Sequence, residues 1–404
     1  MAHVYDAVRL TDRVYWVGAI DWGIREFHGY ATGRGTTYNA YLVMDETVTL
    51  VDTVKAGFAD EMLGRIASVT DPAGIDLIIS NHSEMDHTGC LPQVMEATGA
   101  ERVLASRNGV KALRAHFHGV PGLEAVADGQ TVSLGATEAT FVETRMLHWP
   151  DSMMTYLSGE EILFSQDGFG MHLASTERYA DQLPPDVVAR ELARYYANIL
   201  LPFSNLVTKA VGALRQMNLP LKMIAPDHGP VFRENPTGVL DAWARWAEQK
   251  PTRKAVVVYD TMWHSTERMA RAVAEGLLEG GATSVKVMPL ASSHRSEVAT
   301  EVLEAGALVV GSPTINNTVF PTVADVLTYL EGLARQNLVG AAFGSYGWSG
   351  KAIGRLEEWL DQMGVERVAD SVSLLYVPDE EGLVACRALG RQVGLALKQR
   401  VGSP

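Results

Sequence analysis

Cysteine is almost absent. Two occur in 404 residues, Cys90 and Cys386, far apart and in no CxxC pair. Their scarcity excludes a disulfide framework, a thiolate metal site and a fused iron–sulfur module, and makes a reducing cytoplasm the expected compartment. Charge is also sparse, at 20% of residues, and its balance is acidic, with a net charge of -14. That sign argues against nucleic acid or an anionic membrane as partner. No apolar run reaches membrane-spanning length. The start, Met1-Ala2-His3-Val4-Tyr5-Asp6, lacks the basic and apolar segments of a signal peptide. Internal repeats and low-complexity tracts are missing as well. Apolar residues are plentiful, 47% of the chain, enough for two or three well-packed domains.

The polar stretch Glu248-Gln249-Lys250-Pro251-Thr252-Arg253-Lys254 reads as a linker, dividing the chain into 1–250 and 251–404. The first part mixes short strands (14–17, 39–43, 48–51 and 75–80) with helical patterns at 58–69 and 91–98. That mixture predicts a layered α/β sandwich. The second part alternates cleanly: strands at 255–259, 285–289, 307–311 and 338–343, helices at 265–279, 296–304, 322–333 and 352–363. Continuous apolar strands alternating with helices predict a doubly wound, flavodoxin-like parallel sheet, with its ligand at the carboxyl ends of the strands.

The densest chemistry lies in Asn81-His82-Ser83-Glu84-Met85-Asp86-His87, directly after the apolar run at 75–80. His82, Glu84, Asp86 and His87 are all metal-capable. Burying such groups at a strand end costs several kcal/mol unless a metal or partner compensates. His148, Asp167 and His228 follow at strand-to-loop positions or in apolar settings. Seven N/O ligands are too many for one tetrahedral ion and suit two ions sharing a bridge. Three carboxylates among them favour harder ions such as iron or manganese. The bland alternative, a satisfied core or surface histidine, is kept for His3, His116, His118, His172 and His294.

A second constellation lies in the second part. The loop Asp260-Thr261-Met262-Trp263-His264-Ser265-Thr266 opens a helix without GxGxxG and without a Walker lysine. Thr261, Ser265 and Thr266 there suit a mononucleotide phosphate. Alternatively Ser265 or Thr266 simply caps the helix. Two further strand ends, Ser312-Pro313-Thr314-Ile315-Asn316 and Gly344-Ser345-Tyr346-Gly347-Trp348-Ser349-Gly350, complete one cleft. Met262, Trp263, Tyr346 and Trp348 offer faces for a flat ring, and Pro313, Thr314, Ile315, Asn316, Ser345, Gly347 and Gly350 offer its edge contacts. FMN is the expected ligand.

The pattern HxExDH, followed by His148, Asp167 and His228, resembles the flavodiiron proteins. Phe27-His28-Gly29-Tyr30, Leu147-His148-Trp149-Pro150-Asp151 and Tyr195-Tyr196-Ala197-Asn198 are similar to segments of that family too. The resemblance implies a metallo-β-lactamase-like αββα domain followed by a flavodoxin-like FMN domain. It implies one iron on His82, Glu84 and His148, another on Asp86, His87 and His228, and Asp167 bridging them. Glu84 stands where the hydrolytic relatives have histidine. The resemblance further implies reduction of dioxygen or nitric oxide, electrons from rubredoxin, and a head-to-tail homodimer or dimer of dimers with Trp149 toward the partner's flavin. His28 and Tyr196 are expected to donate hydrogen bonds at the irons, and Asp52 to orient a ligand imidazole. Two rival readings are a zinc hydrolase with an accessory flavodoxin domain and a non-catalytic electron carrier.

Overall fold

A computed structural model describes residues 4–402. His3 and the first residues of the segment read for a signal peptide lie outside them. The chain forms two compact units that meet in sequence at Ala244/Arg245, with Gly29–Ala31 and Tyr196–Ser204 belonging to the second unit.

The first unit is built on two sheets. One has seven strands, in the order Val8–Arg9, Val14–Trp16, Tyr41–Val43, Thr49–Val51, Leu77–Ser80, Arg102–Ser106, Leu123–Val126. The other has five, Thr131–Ser133, Glu138–Glu143, Met153–Leu157, Ile162–Gln166 and Met223–Pro226. Side-chain alternation along each strand produces two cores. Trp16, Tyr41, Val51, Leu77 and Ile79 pack with Phe141, Met153, Ile162 and Phe164 between the sheets. Leu42, Leu50, Ile78 and Val103 point the other way, onto Met62, Ile66, Leu91, Val94 and Leu113 of the covering helices. Strand Leu77–Ser80 is therefore buried on both faces, as its unbroken apolar run requires.

The second unit holds a six-stranded sheet whose strand pairings are all parallel. Lys254–Tyr259 lies between Ser284–Pro289 and Ala307–Gly311, and Val339–Tyr346 follows Ala307–Gly311. The order 2-1-3-4-5 puts the topological switch beside the first strand, so a crevice opens at its carboxyl end. Helices Ser265–Gly280 and Glu380–Val401 cross closely on one face. A methyl group on Gly276 or Gly390 would collide with the backbone of the facing helix.

One expectation needs correction. The helical stretch Pro185–Met217 is long and apolar enough to cross a membrane. It is not legible as one run because it is assembled from helix Pro185–Tyr195, a π-helical turn Tyr196–Leu200, a 3-10 turn and helix Ser204–Met217. Leu192, Tyr195, Leu200, Val207 and Val211 along it are buried in the fold.

Candidate metal centre and flavin cleft

The metal-capable cluster begins where strand Leu77–Ser80 ends. Asn81 is clamped there: its backbone N–H and its side-chain amide donate to the two oxygens of Asp52, both at 2.7 Å, and its Oδ1 accepts from Thr155. The next residues enter a short helix, Met85–Thr88, so His82 and Glu84 leave from the loop and Asp86 and His87 from the helix. Gln166 ties two distant loops together. Its amide donates to the Leu147 carbonyl and its Oε1 accepts from the Asp167 N–H. Gln166, Met146 and Asp52 all adopt positive φ, a backbone state that β-carbon-bearing residues hold only where the surroundings enforce it.

The result is a cage of two parts. His82, Glu84, His148 and Asp167 each offer an atom within 4.8 Å of the others, and Asp86, His87 and His228 form a second such group. Asp167 faces both. Its Oδ2 lies 2.9 Å from His148 Nε2 and 3.5 Å from His82 Nε2. Its Oδ1 lies 3.1 Å from His87 Nε2 and 3.4 Å from His228 Nε2. All four imidazoles present Nε2 to the interior. The opposite nitrogens are held from behind: His82 Nδ1 by Asp151 at 3.2 Å, His87 Nδ1 by Asp227 at 3.4 Å, and His228 Nδ1 by the Thr37 carbonyl at 2.6 Å. Carbonyl or carboxylate support at Nδ1 fixes the tautomer whose Nε2 lone pair is free for a metal.

Asp52 therefore acts differently from expectation: it holds Asn81, not a ligand imidazole. Tyr196 also departs from its expected role. Its hydroxyl lies 3.1 Å from Ser204 Oγ within the second unit. The tyrosine against the cage is Tyr195, whose ring is 5.1 Å from His172 and 6.2 Å from His228. The wide π-helical turn that starts at Tyr196 makes the choice between adjacent tyrosines invisible to 3.6-residue periodicity. His172, taken as an ordinary histidine, is buried beside the cage, its Nδ1 2.9 Å from Thr36 Oγ1 and its ring 4.6 Å from His228. His28 lies at the rim: 72% of its side chain is exposed, and Nε2 reaches Glu84 Oε1 at 3.0 Å.

The electrostatics are those of a cage built for cations. Burial alone would lower His82, but hydrogen bonds to Asp151 and Glu84 push it up to about 10. Against its own burial, Asp167 is held well below the carboxylate range by His87, His148 and His228. Burial, then the charge of Asp167 and Asp86, keeps the Tyr195 phenol well above its usual range. Burial, helped by His228, keeps His172 neutral.

The flavin cleft has a different construction. A cavity of about 530 Å³ is lined by Met262, Trp263, Ser265, Pro313, Thr314, Ile315, Asn316, Ser345, Tyr346, Gly347 and Trp348. Tyr376 and Val377, from the loop after strand Val372–Leu375, also line it. Sequence reasoning missed them because no strand was expected there. Thr261, Thr266 and Gly350 are not among the lining residues: the Thr261 N–H donates to Asp260 Oδ1 at 2.7 Å, Thr266 pairs with Ser345 Oγ at 3.0 Å, and Gly350 provides a positive-φ turn. Neither Ser265 nor Thr266 caps the helix. The N-cap is His264 in the left-handed region, with no side-chain cap bond.

Comparison with known proteins places this architecture. The flavodoxin family profile matches residues 257–390, and that of the ODP family beta lactamases matches residues 36–229. A nitric oxide reductase of Moorella thermoacetica is 45% identical over 390 residues, covering 96% of this chain and 98% of that one. The solved rubredoxin oxygen:oxidoreductase of Desulfovibrio gigas is 44% identical with a TM-score of 0.96, covering 98% of this chain and 100% of that one. The flavodiiron protein from Giardia intestinalis is 32% identical with a TM-score of 0.94, covering 100% of both chains. The chain belongs to the flavodiiron protein family.

A flavodiiron protein carries FMN and two irons, and the residues here fit both. Among the described residues, both Asp86 oxygens, His87 Nε2 and Asp167 Oδ1 are buried inside the cage without a hydrogen bond. Such orphans cost about 1–3 kcal/mol each or more unless an ion satisfies them. In the loops that carry the cleft, the Thr261 and Ser349 hydroxyls are likewise buried and unbonded. Together with the uncapped N–H groups of helix Ser265–Gly280 they suit a phosphate. Trp263 and Trp348 are 84% and 89% exposed, an unusual state for indoles unless a flat ligand covers them.

Proposed function

We propose that this chain is a cytoplasmic reductase of dioxygen to water, of nitric oxide to nitrous oxide, or of both, serving in oxygen or nitrosative stress protection. One iron would be held by His82, Glu84 and His148, the other by Asp86, His87 and His228, with Asp167 bridging. The observation that carries this reading is the division of the two Asp167 oxygens between two sets of imidazoles. A single ion has no use for that division; a pair sharing a carboxylate does. Glu84 gives the cage a third carboxylate, a donor set harder than that of a zinc hydrolase.

When bound, two ferrous ions and a reduced flavin supply the four electrons that turn dioxygen and four protons into two waters, or the two that turn two nitric oxide molecules and two protons into nitrous oxide and water. The chain's own groups do the rest. Asp151, Asp227 and the Thr37 carbonyl hold the imidazoles in one tautomer. Tyr195 retains its phenolic proton and offers a hydrogen bond inside the cage. His28, exposed on one side and bonded to Glu84 on the other, is suited to pass protons inward from water.

The name of the Desulfovibrio gigas relative supports a rubredoxin as electron donor. The exposed indoles at the flavin cleft support a second copy of the chain covering it, in a head-to-tail homodimer or dimer of dimers with Trp149 toward the partner's flavin.

Protein purified without oxygen is expected to hold about two irons and one FMN per chain. His148→Asn is expected to abolish gas reduction while FMN stays bound and reducible. Zinc in place of iron, or oxygen consumption unchanged in His148→Asn, moves the first unit back toward hydrolysis.

A further inference from the structure

Of the side chains that border the cage without belonging to the seven, His28 and Tyr195 stand at the boundary between the units. Each is the last residue before the chain passes into the flavin-binding unit: Gly29–Ala31 follows His28, and Tyr196–Ser204 follows Tyr195. Both inserted segments are gripped by the same short helix, Arg295–Val302. Arg295 Nε donates to the Gly29 carbonyl at 3.0 Å, and the Ala31 N–H donates to Ser296 Oγ at 3.2 Å. On the other segment, Asn198 Nδ2 donates to the Ser296 carbonyl at 3.2 Å and lies 3.5 Å from Thr300 Oγ1. The Tyr329 hydroxyl completes the hold, donating to Asn198 Oδ1 at 2.8 Å.

Val298, Ala299 and Val302 make an ordinary buried apolar face, but Ser296 and Thr300, one turn apart, are buried too. Buried hydroxyls need partners: the Ser296 hydroxyl accepts from the Ala31 N–H at 3.2 Å beside His294 Nδ1 at 2.8 Å, and the Thr300 hydroxyl donates to the Ser296 carbonyl at 2.7 Å while lying 3.5 Å from Asn198 Nδ2. Ser296 serves both at once, Ala31 through its side chain and Asn198 through its carbonyl. The segments are themselves unusual backbone. His28 and Gly29 both take positive φ, and Tyr196–Leu200 is a π-helical turn. Neither conformation is one a short chain segment keeps unaided, so each needs an external clamp.

We propose that helix Arg295–Val302 of the flavin-binding unit is a positioning element for the metal centre, setting His28 and Tyr195 through the two adjoining peptide bonds. Ser296 and Asn198 are positioning residues; neither touches the cage. The inference rests on the reading that His28 and Tyr195 act in gas reduction. It adds that their placement is controlled from the unit that binds flavin.

The test uses full-length holoenzyme carrying Asn198→Ala or Ser296→Ala, with Tyr329→Phe as the mildest change. A merely local role would weaken FMN binding or slow flavin reduction, because all three residues lie in the flavin-binding unit. A positioning role leaves iron content, FMN content and flavin reduction as in the wild type. It lowers the turnover number for gas roughly tenfold, the scale of a sub-ångström misplacement at a reacting centre. It also speeds amide hydrogen exchange in peptides spanning 24–31 and 190–200, but not in those carrying the seven cage residues. Wild-type turnover in Asn198→Ala and Ser296→Ala, or unchanged exchange in both peptides, overturns the proposal. If either variant loses iron or FMN, Tyr329→Phe decides by the same two readouts. If the wild-type enzyme turns over neither gas, the functional reading fails by itself, and hydrogen exchange alone judges the clamp.

Discussion

The two sites of this chain are opposite solutions to holding a cofactor. The metal cage is made of ionisable groups that are almost wholly buried, drawn from positions 82 to 228 and braced from behind by Asp151, Asp227, Gln166 and the Thr37 carbonyl. The flavin cleft is made of four strand-end loops, apolar and aromatic, with its largest rings in solvent. A cage of buried charge is stable only when filled, because each group needs the ion or its opposite charge. A cleft of exposed rings forfeits little when empty. The cage therefore concentrates its free energy in few groups, whereas the cleft spreads it over many.

That contrast predicts its own largest test. Asp167→Asn keeps the shape but removes the charge and one of the two shared oxygen donors. We expect iron to fall from about two to one or fewer per chain and gas turnover to fall at least about 100-fold, while FMN content is unchanged. Elemental analysis and flavin absorbance read both. Loss of FMN in the same variant would break the comparison, since the sites would then not be separately held.

Emptying the cage gives the next test. Without ions, carboxylates take the place of metal and hold the imidazoles protonated: His82 is pushed up to about 10, and His87 and His148 are raised as well. A raised folded pKa stabilises the metal-free protein fully below the unfolded histidine value and ceases to do so as pH rises through about 10. Binding iron requires neutral imidazole, so loading the empty protein near pH 7 releases protons, and apparent affinity rises with pH. Calorimetry in buffers of different ionisation enthalpy measures the release. Uptake with no proton released would mean that the cage is not ion-paired when empty. Asp151→Asn, which weakens the brace on His82, is expected to lower iron affinity about 10–100-fold.

The same contrast explains what could be read in advance. The flavin unit was legible almost throughout, because a parallel sheet buried on both faces writes itself as unbroken apolar runs, and each run matched a strand to within a few residues. Its unread parts, the loop with Tyr376 and the long helix Glu380–Val401, lack such runs. In the metal unit, the seven cage residues stood out because charge at the end of an apolar strand is conspicuous. Their supports did not. His172, Asp151 and Asp227 act through contacts between segments far apart in the chain, and Tyr195 differs from Tyr196 only through a π-helical turn that no side-chain pattern encodes.

Trp348→Ala probes the weaker side of the comparison. The ring is 89% exposed in the folded chain, so removing it leaves no cavity and should leave thermal stability unchanged. Its contribution begins only when flavin is present, as stacking worth about 0.5–1.5 kcal/mol. Trp263, Tyr346 and Tyr376 line the same cleft and remain, as do the Thr261 and Ser349 hydroxyls available to the phosphate. FMN affinity is therefore expected to fall only about 2–10-fold, measured by fluorescence titration of the flavin-free protein. Iron content should not change. A loss of 100-fold or more would mean that one ring dominates the cleft much as Asp167 dominates the cage, and the two sites would then share a single logic.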